Sequence, residues 1–519
     1  MNLYDAVVIG SGFGGAVVAC RLAERGRSVL VLERGRRWGR ADFPRPPSRK
    51  ASADKARGAW QWNSKQQGLF ERRSFPQMQV IVAAGVGGGS LVYTNVQRVP
   101  PAAVFAHWPQ PISLDYLQPY YDRVRTMLEP APVPVELQRL RAFEAAHAAA
   151  QLPGHLERPD LAIRFGSGDE EVVNQFGASQ KPCDFCGDCV LGCDRHAKNT
   201  LDLTYLKRAE SLGAQVWPLC QVTKLAPHNG GYEISFRRLA EDSRPMEAVR
   251  ARRVFLAAGS LGTTELLLRA RDLDRTLPNL SARLGEQWSA NGDFFAGLLD
   301  SRLPIVPTYG PSVAAAADVT EQGFYVLEGA IPSSLACPES RWARRGVAVA
   351  TQLASLLRLS FLRRPQESAV ADSCGDEETA RLLRHAGAFF LMGRDASDGR
   401  LVLDAKGNLQ LLWDWRESEP LLSRMRRYLD ELGRGYAGAM LIPQPWWPIP
   451  LGTVHPLGGC PMGRDASEGV VDSFGRVFGY PNLHVCDGSI VPRALGVPPS
   501  MTIAALAEHI AENVVAGQR

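Results

Sequence analysis

The sequence predicts an α/β fold with a Rossmann-like domain of parallel strands and helices, and two observations carry this prediction. Near the N-terminus an apolar run at residues 6–9 is followed by a glycine-rich turn, a helical pattern at 16–25 and a second apolar run at 29–32. The same order of strand, glycine turn and helix recurs at residues 253–271. Strands that alternate with helices in this order are typical of a parallel sheet.

Length, composition and charge indicate a soluble globular protein with more than one domain. The 519 residues are 45% hydrophobic and 22% charged, and domains commonly have about 100–200 residues. Because the formal net charge is only +5 and Lys and Arg are dispersed along the chain, we expect no nucleic-acid partner. A buried-strand pattern begins at Tyr4, which leaves no room for a secretory signal, so we expect a cytoplasmic protein.

The stretch that comes nearest to a membrane span is residues 347–362. It contains Arg358 and is followed by two more arginines, so we expect no membrane span. A core strand or helix is the favoured interpretation of this stretch, and a segment lying on a membrane surface is the alternative.

The first glycine-rich turn has the features of a dinucleotide-binding site. Gly10 is placed to make the tight turn, Gly12 to let the backbone approach a pyrophosphate, and Gly15 to let the helix pack closely on the strand. The N-terminus of the helix offers N–H groups and a partial positive charge to phosphates. Glu33, after the second strand, is placed to accept hydrogen bonds from a ribose and to repel a 2′-phosphate. A glycine turn without a ligand is the alternative.

A second glycine cluster, at residues 84–95, follows an apolar strand pattern at 80–83. Adjacent glycines permit positive φ and close contact between the backbone and a ligand, although a plain flexible loop has a similar composition. The stretch 39–76 is rich in Pro, Arg and Lys, and a long excursion of this kind suits a lid over a permanently held cofactor.

Motifs near the C-terminus make a family resemblance recognisable. His455 opens the sequence HPLGGC, Asp487 opens DGS, and GVPPS at 496–500 precedes an alanine-rich helical pattern at 501–515. The chain resembles the glucose–methanol–choline family of flavin-dependent oxidoreductases, on the branch that contains the cholesterol oxidases. The resemblance covers nearly the whole chain and is weakest over 300–450. It also includes GVGGGSLV at 85–92, AKNTLDLTYL at 197–206 and AAGSLGTTELLL at 257–268.

The resemblance implies a Rossmann-like FAD-binding domain and a second α+β substrate domain built on an antiparallel sheet. The FAD-binding domain would comprise 1–105, 160–300 and 452–519, and the substrate domain would comprise 106–159 and 301–451. The residues that match the family's FAD-binding positions are Gly10, Gly12, Gly14, Gly15 and Glu33 for the ADP half, Gly87, Gly89, Ser90 and Asn95 for the pyrophosphate and flavin, Val222 for the adenine, and Asp487 and Gly488 for the ribityl chain.

The resemblance also makes His455 the active-site histidine. A hydride leaves an alcohol carbon readily only when the hydroxyl proton is removed or strongly hydrogen-bonded, and an imidazole accepts that proton at neutral pH. The N-terminus of the helical pattern at 501–515 would point at the pyrimidine edge of the flavin, where its dipole stabilises negative charge. A surface helix with a good cap is the alternative.

One position departs from the family's pattern. Pro498 stands where the family has a second hydrogen-bonding His or Asn, and proline has no side-chain donor. Either Ser500 or a residue of the divergent middle supplies that contact, or the reaction is not simple alcohol oxidation. Glu328 and Glu339 lie near the position at which the cholesterol oxidases have an active-site glutamate, but their spacing is poor and we assign neither.

Four cysteines, Cys183, Cys186, Cys189 and Cys193, have the spacing of the ligands of a bacterial-type [4Fe–4S] cluster. Asp194 replaces the proline that is common after the fourth ligand. Zinc and reduced structural thiols are the alternatives, and disulfides are disfavoured in a reducing cytoplasm. Some dehydrogenases of the wider family carry a cluster in this region and pass electrons to a cytochrome. A cluster would therefore favour a redox protein over oxygen as the electron acceptor.

These features predict an FAD-dependent oxidoreductase that oxidises the CH–OH group of a hydrophobic alcohol. The substrate would be a sterol, a terpenoid or a long-chain alcohol, and the hydride would pass to flavin N5 with His455 as acid and base. Trp446 and Trp447 shortly precede His455, and they either wall the substrate pocket or lie in the core. The alternative is a flavoprotein of the same fold that acts as a lyase, an isomerase or an electron-transfer subunit.

Overall fold

The computed structural model describes residues 3–43, 61–62, 67–239, 245–332, 383–443 and 451–516. Within these ranges no helix is long and apolar enough to cross a membrane. Several features predicted from the sequence lie outside the described residues, namely the apolar stretch 347–362, residues 44–60 and 63–66 of the proposed lid, Glu339, Trp446 and Trp447.

Helices and strands of the described residues are numbered in chain order. The α-helices are α1 (Phe13–Ala23), α2 (Leu114–Leu128), α3 (Gln138–Ala149), α4 (Tyr205–Ser211), α5 (Gly259–Asp272), α6 (Glu419–Gly435) and α7 (Ser500–Ala516). The strands are β1 (Leu3–Ile9), β2 (Val29–Leu32), β3 (Phe70–Ser74), β4 (Met78–Ala83), β5 (His155–Glu157), β6 (Val172–Val173), β7 (Ser179–Gln180), β8 (Gln215–Trp217), β9 (Cys220–His228), β10 (Gly231–Arg238), β11 (Glu247–Leu256), β12 (Phe294–Leu299), β13 (Val313–Val319), β14 (Phe324–Gly329), β15 (Gly387–Gly393), β16 (Arg400–Leu403), β17 (Leu409–Leu412), β18 (Ala439–Leu441), β19 (Leu451–Thr453) and β20 (Leu483–Val485).

The larger sheet confirms the predicted α/β fold. Its strands run in the order β8, β2, β1, β11, β10, β9, and β20 pairs with the last residues of β11. The pairings among β8, β2, β1, β11 and β20 are parallel, whereas β10 pairs antiparallel with both β11 and β9. The strands β1 and β2 are almost wholly buried and α1, which connects them, packs against α7. The carboxyl ends of β1, β2 and β11 therefore meet at one edge, where the glycine-rich turns begin.

A second sheet confirms the predicted antiparallel region. Its order is β18, β12, β15, β14, β13, β5, and every pairing is antiparallel. Successive residues of a strand point to opposite faces. One face packs with α3 and α6 in a separate apolar core that includes Phe294 and Phe389, and the other, with Leu327 and Phe390, packs toward the core of the larger sheet. The bounds of the two predicted domains stay a prediction.

A buried ion pair lies beside the second sheet. Arg139 of α3 is fully buried, and its Nη1 lies 2.7 and 2.5 Å from the two carboxylate oxygens of Glu328 on β14. The remaining nitrogens of Arg139 donate to the carbonyls of Tyr309 and Pro311. The family resemblance puts Glu328 near the position of an active-site glutamate. In the structure its carboxylate instead forms a buried ion pair with Arg139.

Removing one partner of this ion pair should destabilise the protein more than removing both. We expect Glu328→Gln to lower the free energy of unfolding by about 3–5 kcal/mol, because a buried guanidinium loses its counter-charge. The double variant Arg139→Met/Glu328→Leu should regain much of that loss. Urea unfolding of the parent and both variants measures the differences, and a Glu328→Gln variant as stable as the parent would contradict the role of the pair.

Candidate active site

The two glycine-rich turns of the N-terminal region touch each other. A β-carbon on Gly88 would lie 2.7 Å from the Cα of Gly12. Gly10 has φ +100°, a left-handed conformation that favours glycine. A β-carbon on Gly14 would lie 1.8 Å from the carbonyl oxygen of Cys486, and one on Gly15 would lie 2.1 Å from the Gly10 carbonyl oxygen. Because residues 14 and 15 are glycines, the first turn of α1 can pack closely on Gly10 and on the segment that leads to Asp487.

Glu33 stands directly after β2, and its carboxylate is held by neighbouring polar groups. Oε2 accepts hydrogen bonds from the amide and the hydroxyl of Ser11, at 3.0 and 2.6 Å, and Oε1 accepts one from the amide of Gly35 at 2.7 Å. Burial raises the pKa of Glu33. The amide of Cys220 donates to the Glu33 carbonyl, and Val222 follows two residues later on β9. The residues predicted to hold the ribose and the adenine are therefore neighbours.

The space around the two turns fits a dinucleotide. A β-carbon on Gly12 would meet no protein atom within 4 Å, and one on Gly89 would meet only the ring edge of Phe13, at 4.0 Å. Open space thus lies in front of the N-terminus of α1, where a pyrophosphate binds. Asn95 is fully buried, yet neither Oδ1 nor Nδ2 has a hydrogen-bond partner among the described residues. Buried amides are almost always hydrogen-bonded, so Asn95 indicates a polar ligand.

Two predicted cofactor residues shape the second glycine turn with their own hydrogen bonds. Ser90 Oγ donates to the carbonyl of Gly87 at 2.8 Å and accepts from the amide of Leu201 at 3.0 Å. Gly87 has φ +105°, which a residue with a side chain adopts only with strain. These two residues fix the path of the backbone next to Asn95.

Asp487 ties the second strand–glycine–helix unit to the C-terminal region. Its Oδ2 accepts hydrogen bonds from the amide of Gly259 at 2.8 Å and the hydroxyl of Thr263 at 2.5 Å, and its Oδ1 accepts two more from Ser489. Burial raises the pKa of Asp487. The carbonyl of Gly488 accepts an amide of the HPLGG motif. Asp487 and Gly488 therefore lie between α1, α5 and the strand end that carries His455.

His455 lies two residues after β19 and is held by a buried carboxylate. Its Nδ1 is 2.8 Å from Oδ1 of Asp293, whose side chain is 1% exposed, whereas the His455 side chain is 25% exposed. Oδ2 of Asp293 accepts hydrogen bonds from the Thr453 hydroxyl and from the amides of Val454 and His455. Nε2 of His455 has no hydrogen-bond partner among the described residues. One nitrogen of the ring is therefore anchored and the other is available to a ligand.

Asp293 is not among the site residues predicted from the sequence. It lies 162 residues before His455, so no local pattern connects them. The available signal is the Asn-Gly pair at 291–292, a turn sequence that is followed by Asp293 and then by the apolar run of β12. A carboxylate placed between a turn and a buried strand is a recognisable candidate, but its partner is set by the tertiary fold.

The four clustered cysteines line a single small pocket together. All four are free thiols, and Cys189 is buried whereas the others are partly exposed. Burial raises the pKa of Cys183, Cys186 and Cys193. Among the residues that the structure describes, no group of three or more His, Cys, Asp or Glu side chains could hold a metal ion. The positions of the four side chains therefore support neither the zinc alternative nor a preformed set of ligands for the predicted iron–sulfur cluster.

Family models match the N-terminal and the C-terminal parts of the chain. A model of the N-terminal part of the GMC oxidoreductases matches residues 4–271, which is more than half of the chain, and a model of their C-terminal part matches 449–507. The chain belongs to the GMC oxidoreductase family. The matched segments contain the two glycine-rich turns, His455 and Asp487, so the predicted family resemblance is confirmed.

Curated relatives of this GMC oxidoreductase include sterol and alcohol oxidases. A cholesterol oxidase of Acinetobacter baumannii is 29% identical over 98% of this chain and 93% of its own length. A cholesterol oxidase of Mycobacterium tuberculosis is 29% identical over 98% and 90% of the two chains. The long-chain-alcohol oxidase FAO1 of Arabidopsis thaliana is 24% identical over 98% and 66%.

Solved structures share the fold at low sequence identity. A pyridoxine 4-oxidase from Mesorbium loti has a TM-score of 0.59 and 16% identity, with 99% of each chain covered. A variant of the formate oxidase of Aspergillus oryzae RIB40, in which modification of the FAD was studied, has a TM-score of 0.66 and 14% identity, with 99% and 98% covered. Membership of the GMC oxidoreductase family makes the protein an FAD flavoenzyme, and the open space at Gly12 and the unpaired amide of Asn95 fit that cofactor.

Two neighbouring glycines should respond differently to alanine. The methyl group of Gly12→Ala meets no protein atom within 4 Å, so we expect an intact fold that has lost FAD, because the methyl takes space in front of α1. The methyl group of Gly14→Ala would collide with the Cys486 carbonyl and should destabilise the fold itself. FAD absorbance per purified chain and circular dichroism separate the two effects. Parental FAD content in Gly12→Ala would contradict the placement of the pyrophosphate.

Proposed function

We propose that this GMC oxidoreductase oxidises the CH–OH group of a hydrophobic alcohol, with His455 as the acid and base that handles the hydroxyl proton. The observation that carries the proposal is the pair of His455 and Asp293, in which an accessible imidazole is tied to a buried carboxylate. When bound, FAD supplies at its N5 atom the acceptor for the hydride that leaves the alcohol carbon.

Asp293 fixes which nitrogen of His455 acts. A carboxylate accepts hydrogen bonds and does not donate them, so Nδ1 of His455 is the donor in its 2.8 Å contact with Oδ1 of Asp293. Nε2 then carries the lone pair and accepts the proton of an alcohol hydroxyl placed against it. The carboxylate also stabilises the imidazolium that this proton transfer forms. Because Asp293 acts through His455, it is a positioning residue.

The start of α7 supports a second contact to the reacting groups. Ser500 is the first residue of α7, and its buried hydroxyl has no hydrogen-bond partner among the described residues. Pro498 and Pro499 precede it and offer no N–H group. We infer that Ser500 contributes the hydrogen bond that residue 498 lacks, and that the dipole of α7 favours negative charge in front of its N-terminus.

An apolar wall that begins at Asp293 supports a hydrophobic substrate. Asp293 leads directly into β12, on which Phe295 pairs with Phe390 of β15, and the two rings meet edge to face with centroids 5.7 Å apart. Both rings lie on the sheet face away from α6. Aromatic surfaces of this kind bind the apolar parts of ligands, and the relatives named cholesterol oxidase and long-chain-alcohol oxidase support a sterol, terpenoid or long-chain alcohol.

The alternative function is that of a flavoprotein which does not oxidise alcohols. Pro498 is the feature that favours it, because the family's second hydrogen-bonding side chain is missing there. An enzyme of this kind would keep the FAD site and the fold but would act as a lyase, an isomerase or an electron-transfer subunit.

The cysteines support a reducing compartment for this enzyme. The eight cysteines in the described part of the chain are free thiols. Disulfides form and persist in oxidising compartments and are rare in the cytosol. We therefore propose that the enzyme is cytoplasmic.

Replacing His455 by Gln should abolish reduction of the bound FAD by alcohols without releasing FAD. We expect the anaerobic rate of FAD reduction by cholesterol or 1-hexadecanol to fall by about 10²–10⁴-fold, the usual contribution of a general base. Stopped-flow absorbance of the flavin measures the rate, and the FAD content per chain is determined on the same samples.

The matched control for this variant is His228→Gln, which changes a partly exposed histidine at the end of β9. Its rate should equal that of the parent. Glucose, a polar alcohol, should not reduce the parent enzyme. An unchanged rate in His455→Gln would exclude this histidine as the base, and failure of every alcohol to reduce the parent would favour the alternative function.

Asp293→Asn tests the positioning role. We expect kcat to fall at least about tenfold with little change in KM, because the tautomer of His455 is no longer fixed. A purely structural role of Asp293 would instead lower the FAD content or the stability, or would change KM together with kcat.

A further inference from the structure

The strand that follows Asp293 leads away from His455 along one face of the second sheet. Successive residues of a strand point to opposite faces. In β12 the even-numbered residues from 294 to 298 are buried in the core shared with α3 and α6. The odd-numbered residues from 295 to 299 are partly exposed. The exposed face of β12 is therefore the face that carries the aromatic pair of Phe295 and Phe390.

Next to this aromatic pair, the same face has a row of residues with small side chains or none. Gly297 of β12 is paired with Ala388 of β15, and Ala388 is paired with Gly329 of β14. Residues that are directly paired on neighbouring strands lie side by side on one face. The row therefore forms a floor that lies deeper than the phenylalanine rings beside it.

The floor is open at Gly297 and covered at Gly329. Among the described residues, a β-carbon on Gly297 would meet only the side chain of Leu441 on β18, at 3.7 Å. A β-carbon on Gly329 would lie 2.4 Å from the ring of Phe390, which takes the space above that glycine. Ala388, between the two glycines, is partly exposed. Gly297 and Ala388 thus form the floor of a groove, which we call the β12 groove.

The position of the β12 groove along the strand determines which part of a substrate reaches it. Gly297 follows Asp293 by four residues, and a strand rises about 3.3 Å per residue, so about 13 Å separates the two positions. Asp293 holds His455. An alcohol whose hydroxyl lies against Nε2 of His455 therefore reaches the groove only with the far end of a long molecule.

We propose that the β12 groove selects substrates by length, because it receives the end of a long-chain or polycyclic alcohol that is remote from the hydroxyl. This inference rests on the alcohol oxidation proposed above. The side chains that border the groove, those of Phe295, Phe390 and Leu441, are apolar, so the groove favours burial of hydrocarbon. A short alcohol leaves the groove empty and does not gain this contact.

Filling the groove with a leucine tests the proposal. The φ of Gly297 lies outside the left-handed region, so the backbone accepts a side chain there. In Gly297→Leu we expect the second-order rate constant of FAD reduction to fall at least about tenfold for 1-hexadecanol and cholesterol and to stay unchanged for 1-hexanol. Ala388→Leu should show the same pattern. The matched control is Ala149→Leu, which adds the same bulk at the exposed end of α3 and should leave all three rates unchanged.

Equal losses for long and short alcohols, or unchanged rates for the long alcohols in both variants, would overturn the proposal. Equilibrium binding of radiolabelled 1-hexadecanol is measured on the same FAD-loaded samples, and both variants should bind it at least about tenfold more weakly. If no alcohol reduces the parent enzyme, the proposed function fails and this binding still decides the role of the groove. Absent binding to the parent, or equal binding to the parent and both variants, would exclude the groove.

Discussion

Residues 289–293 lie at the junction of the two sheets, and their buried polar groups must be hydrogen-bonded there. The positions of His455 and of the turn before α7 both depend on these hydrogen bonds. Asp395 accepts three hydrogen bonds from this segment. Asn291, with φ +53°, accepts the amides of residues 495 and 496 and donates to the carbonyl of Val497. Asp293 holds His455. An unpaired polar group here would cost stability, so the hydrogen bonds fix both the histidine and the turn before α7.

This arrangement explains why proline is accepted at position 498. The turn before α7 is held through the backbone of residues 495–497 by the side chain of Asn291, and the side chain at 498 takes no part in these bonds. A substitution that removes a hydrogen-bonding side chain at 498 therefore changes the chemistry available in front of α7 without moving the helix. In this turn the hydrogen bonds of Asn291 to the backbone of residues 495–497 hold the structure, whereas the side chain at 498 affects the chemistry. The residue at 498 can therefore differ while the turn keeps its conformation.

Features with short sequence spacing could be predicted, and features that depend on distant partners could not. The unit from Gly10 to Glu33 and the cysteines between 183 and 193 are each confined to one stretch, so the covalent spacing already limits their geometry. Asp293 pairs with His455 across 162 residues, and no local pattern indicates that. Glu328 is the opposite case, in which a sequence position suggests a role that the fold does not give. It lies near the position of an active-site glutamate, but its partner is Arg139, 189 residues earlier in the chain.

Two buried cations show how the fold fixes distances between sites that lie far apart in the sequence. Arg139 joins α3 to Glu328 and to the loop between β12 and β13, whose Pro311 lines the pocket of the four cysteines. Lys198 joins the cysteine loop to the second glycine cluster through three carbonyl groups. Removing the ammonium group of Lys198 would leave those carbonyls without their donor in a buried environment, at a cost for each. The cysteine loop and the second glycine cluster therefore cannot shift independently of each other.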